Sequence, residues 1–155
     1  MLSRPFKIND TLYFQEKHVI VEDIDLIYTR MRTMDNIVIS VPNQTLLDTV
    51  IENQSIYDSI RQNVLVTADY KESPERIVSL LLEAVTSVGE ILVDPSPYVW
   101  ITDFGNFALE YTVYYHIASI ENVVEIDSKI KESILRVFNM NKIDLSTPSL
   151  VHSVK

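Results

Sequence analysis

The sequence has no cysteine and only two glycines, Gly89 and Gly105, among its 155 residues. Disulfides, thiolate metal sites and cysteine nucleophiles are therefore excluded. Phosphate-binding loops and dinucleotide fingerprints need several glycines close together, so both are excluded as well. No run approaches the roughly 18 apolar residues of a membrane-spanning helix, and the N-terminus lacks the layout of a signal peptide. From these absences we expect a soluble chain without nucleotide chemistry.

The residues that are present are typical of a folded acidic protein. Hydrophobic residues make up 46% of the chain and charged residues 23%, with a net charge of −9. A chain of this length can bury a substantial core in one domain or two small ones. An acidic surface repels phosphate backbones, so we expect no nucleic-acid partner.

The first part of the chain predicts a small antiparallel β domain of four or five strands, over residues 4 to about 43. Two alternating segments, 27–33 and 37–41, flank Asp35-Asn36, a pair that tolerates the left-handed backbone of a two-residue hairpin turn. Pro42 lacks an amide hydrogen and so ends the last strand or places it at an edge. We expect a short helical turn after it, with Asn43 as its cap.

The second part, from about residue 60, predicts the order β-α-β-β-α-β of a ferredoxin-like fold. Its first helix should have Ser73 as N-cap and Pro74 at the first position, and should stop at Gly89. Gly105-Asn106 predicts a hairpin between two strands. The second helix should begin at a cap formed by Asp127 or Ser128, and the last strand should lie at 143–145 or 149–154.

The side chains that carry chemistry are scattered. The three histidines lie in different elements without a second ligand type at metal-site spacing, so we expect structural or surface roles: they are His18, His116 and His152. Glu22, Asp23 and Asp25 lack the pattern of a calcium loop and predict a solvated bend. We therefore expect no enzymatic activity, no catalytic or metal-ligating residue, and no cofactor.

One strand carries a basic and aromatic stripe. Tyr28, Arg30 and Arg32 alternate and must share a face, as in proteins that bind single-stranded RNA. The acidic total instead favours arginines paired with carboxylates, within or between subunits. Trp100 lies in the apolar run YVWI and predicts core or interface packing.

The order of these motifs resembles the small-conductance mechanosensitive channel (MscS) family. RPFKINDTLYF and VEDIDLIYTRMRTMDNIVISVPNQTLLDTVIENQS are similar to the family's Arg-Pro-Phe segment, Thr-Arg-x-Arg-Thr strand and closing Pro-Asn. The resemblance extends over nearly the whole chain. The matching residues that we expect to serve structure and assembly are Arg4, Pro5, Phe6, Asp10, Thr29, Arg30, Arg32, Thr33, Pro42, Asn43 and Asn53.

Three features depart from the family pattern. Asn9 stands where the family often has glycine before Asp10. Ile20 and Asp25 occupy positions in the 19–25 bend where glycines are common. The third departure is the absence of transmembrane helices from the sequence.

The resemblance implies an α+β protein in which residues 1–57 form a small Sm-like antiparallel β domain that starts with a remnant of a pore helix. Residues 58–155 would form a ferredoxin-like α/β sandwich domain. Met1 to Ser3 would be the end of the pore helix, and the alternative is a native start at Met1. The chain would be the soluble, cytoplasmic vestibule domain of a cell-membrane channel.

The partners implied are further copies of the chain, as a homo-heptamer, together with the membrane through helices outside this chain and ions in the vestibule. Two alternatives from other classes stay open. One is a soluble Sm-like ring that binds RNA, which would bind more weakly as salt rises. The other is a regulatory module that binds a small molecule, which a ligand-dependent rise in melting temperature would reveal.

Overall fold

The structure, a computed structural model, describes residues 5–56 and 58–145. Its contacts divide the chain into two compact units, with the boundary between Ile60 and Arg61. The first unit is a small Sm-like β domain. It contains five strands and one short helix: β1 (Thr11–Phe14), β2 (Lys17–Ile24), β3 (Tyr28–Thr33), β4 (Val38–Pro42), α1 (Asn43–Leu47) and β5 (Glu52–Asn53).

The five strands of the first unit form one antiparallel sheet in the order β4-β3-β2-β1-β5. Alternate residues point inward because successive side chains of a strand lie on opposite faces. In β3, Thr29, Met31 and Thr33 are buried while Tyr28 and Arg30 are exposed. The apolar core that results consists of Phe6, Leu12, Phe14, Val19, Val21, Met31, Val41 and Leu46.

The β3–β4 hairpin confirms the predicted pair of strands but corrects the turn. Only Asn36 of the Asp35-Asn36 pair is left-handed, with φ of 62°. The Asn36 amide donates to Thr33 O over 3.0 Å, and the Thr33 amide donates to Ile37 O over 2.9 Å. The loop therefore has three residues and needs only one left-handed residue, whereas the predicted two-residue turn would need two.

The second unit contains three strands and two long helices: β6 (Ile60–Asp69), α2 (Pro74–Thr86), β7 (Tyr98–Phe104), β8 (Ala108–Ile117) and α3 (Val123–Met140). The strands form a sheet in the order β6-β8-β7. The odd-numbered residues of β8 are buried, among them Tyr111, Val113 and Tyr115. This is a ferredoxin-like βαββα arrangement within the described residues.

Helix α2 forms as predicted at its start. Ser73 is the N-cap, its hydroxyl accepts from the Arg76 amide, and Pro74 is the first helical residue. The predicted inner face is confirmed, since all six of its residues are buried: Ile77, Leu80, Leu81, Ala84, Val85 and Val88. The predicted stop at Gly89 is wrong. The helix ends at Thr86, where the Ser87 amide donates to Glu83 O, and Gly89 has no positive φ.

Helix α3 begins earlier than predicted, and the strand expected at 143–145 is absent. The N-cap is Asn122 rather than Asp127 or Ser128. The helix starts earlier because the apolar face extends back to the buried Ile126. At the other end, Lys142 is left-handed with φ of 57°. The buried Ile143 then donates its amide to Phe138 O over 2.9 Å, so the segment closes the helix. The alternative strand at 149–154 lies outside the described residues.

The predicted hairpin at Gly105-Asn106 is confirmed as the link between β7 and β8. A Cβ atom at Gly105 would lie 2.8 Å from Ala108 O. The Tyr70 hydroxyl donates to Gly105 O over 2.6 Å. Glycine is needed here because the backbone approaches itself closely.

Candidate functional site

The structure brings the predicted residues together in three places within the first unit. Pro5, Phe6, Asp10 and Asn53 gather where the described chain begins. Thr29, Pro42 and Asn43 meet at the end of the β3–β4 hairpin opposite its turn. The side chains of Arg30 and Arg32 lie on the outer face of β3, and Arg4 lies outside the described residues.

The first group forms a hydrogen-bonded cluster that we call the N-terminal clamp: Pro5, Lys7, Asp10 and Asn53. The Asn53 amide group donates to Asp10 Oδ2 over 2.8 Å and to Pro5 O over 3.2 Å. The Lys7 backbone amide also donates to Asp10 Oδ2, over 2.9 Å. The clamp therefore ties the first described residues to β5, which is more than 40 residues away in sequence and lies at the edge of the sheet.

Asn9 explains one departure from the family pattern. It is left-handed, with φ of 71°, and its amide donates to Val21 O over 2.8 Å. Asparagine adopts this conformation at lower cost than other residues with a side chain, and glycine adopts it readily. Ile20 and Asp25 have no positive φ; β2 instead bends at a bulge between Val21 and Asp23.

Asn43 is the centre of the second group, and the prediction that it caps α1 is wrong. It is the first residue of the helix, Pro42 precedes it as the N-cap, and no side chain makes a cap hydrogen bond. Its Oδ1 atom accepts from the Thr29 hydroxyl over 2.7 Å. Its Nδ2 atom donates to the carbonyls of Asp25 and Leu26 over 2.9 and 3.0 Å.

Asn43 thereby holds the β2–β3 turn against the start of α1. The Asn43 backbone amide adds a bond to Ile27 O over 2.8 Å. Sequence reasoning missed that the partners are the carbonyls of the turn, since backbone groups leave no signal in side-chain patterns. Ser55 was missed for a similar reason: its hydroxyl accepts from the Thr11 amide over 2.7 Å, and nothing in its spacing indicates that.

The arginines of β3 pair with carboxylates of the neighbouring strand. Arg30 binds Asp23, and Arg32 Nε donates to Glu22 Oε1 over 2.7 Å. The hydrogen bond from Arg30 is the main reason that the pKa of Asp23 lies below its usual value, and the same bond raises the pKa of Arg30. The acidic composition favoured such pairing within or between subunits, and the structure shows it within one chain for both arginines.

The two outer strands of the sheet, β4 and β5, are its edges. Along an antiparallel pair of strands, hydrogen-bonded and non-hydrogen-bonded residue pairs alternate. Because the Thr33 amide donates to Ile37 O, the amide and carbonyl groups of Val38 and Ser40 point away from β3. Ile37 and Val38 are 58% and 53% exposed. Strand β5 has only two residues, paired with Leu12 and Tyr13. Within the described residues this sheet has two open edges, which can pair with another chain.

The second unit also exposes aromatic side chains. Trp100 is 59% exposed, so the predicted core packing is wrong, while the alternative of interface packing stays a prediction. Its ring lies 5.1 Å from that of Tyr98 and 5.4 Å from that of Tyr114. Arg61 lies over the Tyr114 ring at 5.2 Å. Trp100 is exposed because β7 is an edge strand and its alternate side chains face away from the helices.

The described residues contain no cluster of side chains able to hold a metal ion. His18 Nδ1 lies 3.0 Å from Gln54 Oε1, and the His18 ring packs against Tyr13. His116 Nδ1 is buried and has no hydrogen-bond partner. His152 lies outside the described residues.

Comparison with known proteins identifies both units. Residues 1–56 match the family model described as mechanosensitive ion channel, beta-domain, and residues 60–145 match the one described as mechanosensitive ion channel MscS, C-terminal. The chain belongs to the MscS family. The two matches follow each other in the order that the resemblance predicted.

Curated and solved MscS proteins resemble the chain over nearly its full length. The large-conductance channel MscMJLR and the small-conductance channel MscMJ of Methanocaldococcus jannaschii are 27% and 28% identical, each over 96% of this chain. The crystal structure of Helicobacter pylori MscS in the closed state superposes with a TM-score of 0.85 at 20% identity, covering 97% of this chain and 60% of that one. Arabidopsis thaliana MSL1 superposes with a TM-score of 0.71 at 17% identity, covering 94% and 54%.

The chain spans 43% of the length of each of the two Methanocaldococcus relatives. In residues 5–56 and 58–145, none of the helices has both the length and the apolar character needed to cross a bilayer.

Proposed function

We propose that this MscS-family chain is the vestibule domain of a mechanosensitive ion channel and assembles as a ring below the pore. The observation that carries the proposal is the pair of open edges on the sheet of the first unit, together with the family match over both units. An open edge leaves backbone groups unpaired, and a ring of identical subunits removes every edge at once.

In this proposal the β4 edge of one subunit faces the β5 edge of the next. Val38 and Ser40 offer the outward backbone groups of β4, and the exposed Ile37 and Val38 side chains add apolar surface. Seven copies close the ring, as in the family arrangement, on the cytoplasmic side of the cell membrane. The membrane contacts come from helices outside this chain. The ring encloses ions and has no enzymatic role.

The decisive test is electrical. The product of the complete reading frame, expressed in bacteria whose own mechanosensitive channels are deleted, is expected to give currents when suction is applied to a membrane patch. If the protein is present in the membrane but these patches give no stretch-activated current, the channel proposal is overturned.

A substitution at Ser40 tests the ring contact separately. Proline at an edge position removes an outward amide but leaves the bonds to β3 in place. Ser40→Pro is therefore expected to abolish self-association of the 155-residue chain, while Ser40→Ala, which keeps the amide, should associate as the parent does. Native mass spectrometry and sedimentation would measure this. Equal association of the two variants would contradict pairing through β4.

The acidic charge suggests the ion preference of the vestibule. With −9 per subunit, carboxylates around an enclosed space raise the local concentration of cations. We expect reversal potentials in a salt gradient to indicate cation preference, and a clear anion preference would contradict this part of the proposal.

A further inference from the structure

Strand β5 combines the sheet edge that the proposed ring uses with a residue of the N-terminal clamp. On one side it pairs with β1, and none of the described residues pairs with its other side. Asn53, in the same strand, holds Asp10 and the carbonyl of Pro5. The residue that positions the start of the described chain therefore sits on the strand that the proposed ring contact uses.

We propose that the N-terminal clamp couples the position of the chain at Pro5 to the pairing of the β5 edge with a second copy. This inference rests on the proposed ring assembly. Asn53 is the central positioning residue, and Asp10 links it to the backbone of Lys7.

The shortness of β5 is the first support for this coupling. Two residues paired with β1 fix a strand weakly, so its placement depends on the bonds around it. Those bonds run from the Gln54 amide to Thr11 O over 2.9 Å, from the Thr11 amide to the Ser55 hydroxyl, and from Asn53 to the clamp. Loss of the Asn53 bonds would leave the edge less well placed for a neighbour.

The surroundings of the clamp are the second support. The clamp lines an open cavity of about 390 Å³, so water can reach its polar groups and the bonds can exchange without unpacking the sheet. Phe6, between Pro5 and Lys7, is 7% exposed and belongs to the core. The chain at Pro5 can therefore turn about a fixed Phe6, and the clamp decides whether it is held to β5.

Coupling between two sites is reciprocal. Pairing of the β5 edge should stabilise the clamp and slow hydrogen exchange of the Lys7 and Asp10 amides, which donate to Asp10 Oδ2 and Lys7 O. Breaking the clamp should weaken pairing by the same factor, roughly fivefold or more in the dissociation constant.

The experiment compares Asn53→Ala with Met31→Ala in the 155-residue chain. Met31 is fully buried in β3, near the middle of the sheet, so its truncation lowers stability without touching the clamp residues. Self-association is measured by sedimentation at temperatures where both variants remain folded. We expect Asn53→Ala to associate at least about fivefold more weakly than the parent and Met31→Ala to associate as the parent does.

Asn53→Asp keeps the shape of the side chain but replaces the amide group that donates to Asp10 Oδ2 and Pro5 O with a carboxylate. It is expected to weaken association as Asn53→Ala does, which a merely steric role of Asn53 would not produce. In the parent, exchange in residues 6–10 should slow as concentration rises.

The outcomes separate the two proposals. If the parent associates and Asn53→Ala associates as strongly as the parent or as Met31→Ala, the coupling is overturned, but the ring proposal stands. Exchange in residues 6–10 that does not respond to association also overturns the coupling. A parent that stays monomeric at every concentration overturns both edge pairing and coupling, while the electrical test still decides the channel function.

Discussion

The Thr29 hydroxyl donates to Asn43 Oδ1 over 2.7 Å and joins the inner face of β3 to the first residue of α1. Thr29 is 1% exposed, so this hydroxyl has no access to water. Asn43 also binds the carbonyls of Asp25 and Leu26. One side chain thus binds three polar groups, one from β3 and two from the β2–β3 turn, and this explains the pairing of Thr29 with Pro42-Asn43 in the sequence motif.

Asn43→Ala should destabilise the first unit by about 2 kcal/mol, because it leaves the buried Thr29 hydroxyl and the turn carbonyls without their partner. Hydrogen exchange of the β3 and β4 amides under increasing urea measures the effect within this unit. Gln44→Ala is the matched control, since it loses only an exposed bond to Asp48. Equal effects of the two substitutions would contradict the role given to Asn43.

Substitutions at Asn9 should separate backbone conformation from side-chain contact. Asn9→Ala is expected to lower the free energy of unfolding by about 1 kcal/mol, because alanine disfavours φ of 71°. Asn9→Gly should stay within about 0.5 kcal/mol of the parent, since glycine adopts this conformation freely but loses more entropy on folding. Urea unfolding measures both, and a glycine variant as unstable as the alanine variant would contradict the explanation.

The second unit should lose stability in alkaline solution through Tyr115. Burial, and secondly the charge of Asp127, raises the pKa of Tyr115 to about 12 from 10.0. Because the folded pKa lies above the unfolded one, this contribution is fully present below pH 10 and is lost as the pH rises through 12. Tyr115→Phe cannot ionise, so its stability should fall less than that of the parent over this range. Thermal unfolding at pH 9 to 12 measures the difference.

A parallel loss in the parent and in Tyr115→Phe would contradict this assignment. Tyr114→Phe is the matched control, because Tyr114 lies on the more exposed face of β8.

Trp100→Ala should cost about 1 kcal/mol, from the lost contacts with the Tyr98 and Tyr114 rings. A buried tryptophan would cost roughly 3–5 kcal/mol. As the only tryptophan of the chain, Trp100 also reports its own exposure. Acrylamide should quench its fluorescence strongly in the monomer, and weak quenching there would contradict an exposed position.

The parts of the fold that were predictable are those encoded by residues near one another in sequence. Alternation in β3, the Ser73-Pro74 start of α2 and the Gly105 hairpin each depend on a few adjacent residues. The strand expected at 143–145 is absent because the buried Ile143 forms part of the C-terminal cap of α3. From the sequence alone, a short apolar segment in a helix cap cannot be distinguished from a short strand. The predicted end of α2 at Gly89 is wrong because a glycine near the end of a helix need not be its C-cap. Here the C-cap is Ser87.

The sequence by itself determined the family, the two-part α+β order and the inward-facing residues, because periodicity and motif order are local properties of the chain. Only the tertiary structure decided what the polar motif residues do. Asp10 and Asn53 are 43 positions apart, and Asn43 binds backbone carbonyls 17 and 18 residues before it. Such partners are set by the folding of the sheet, which brings distant backbone groups within hydrogen-bond distance of these side chains.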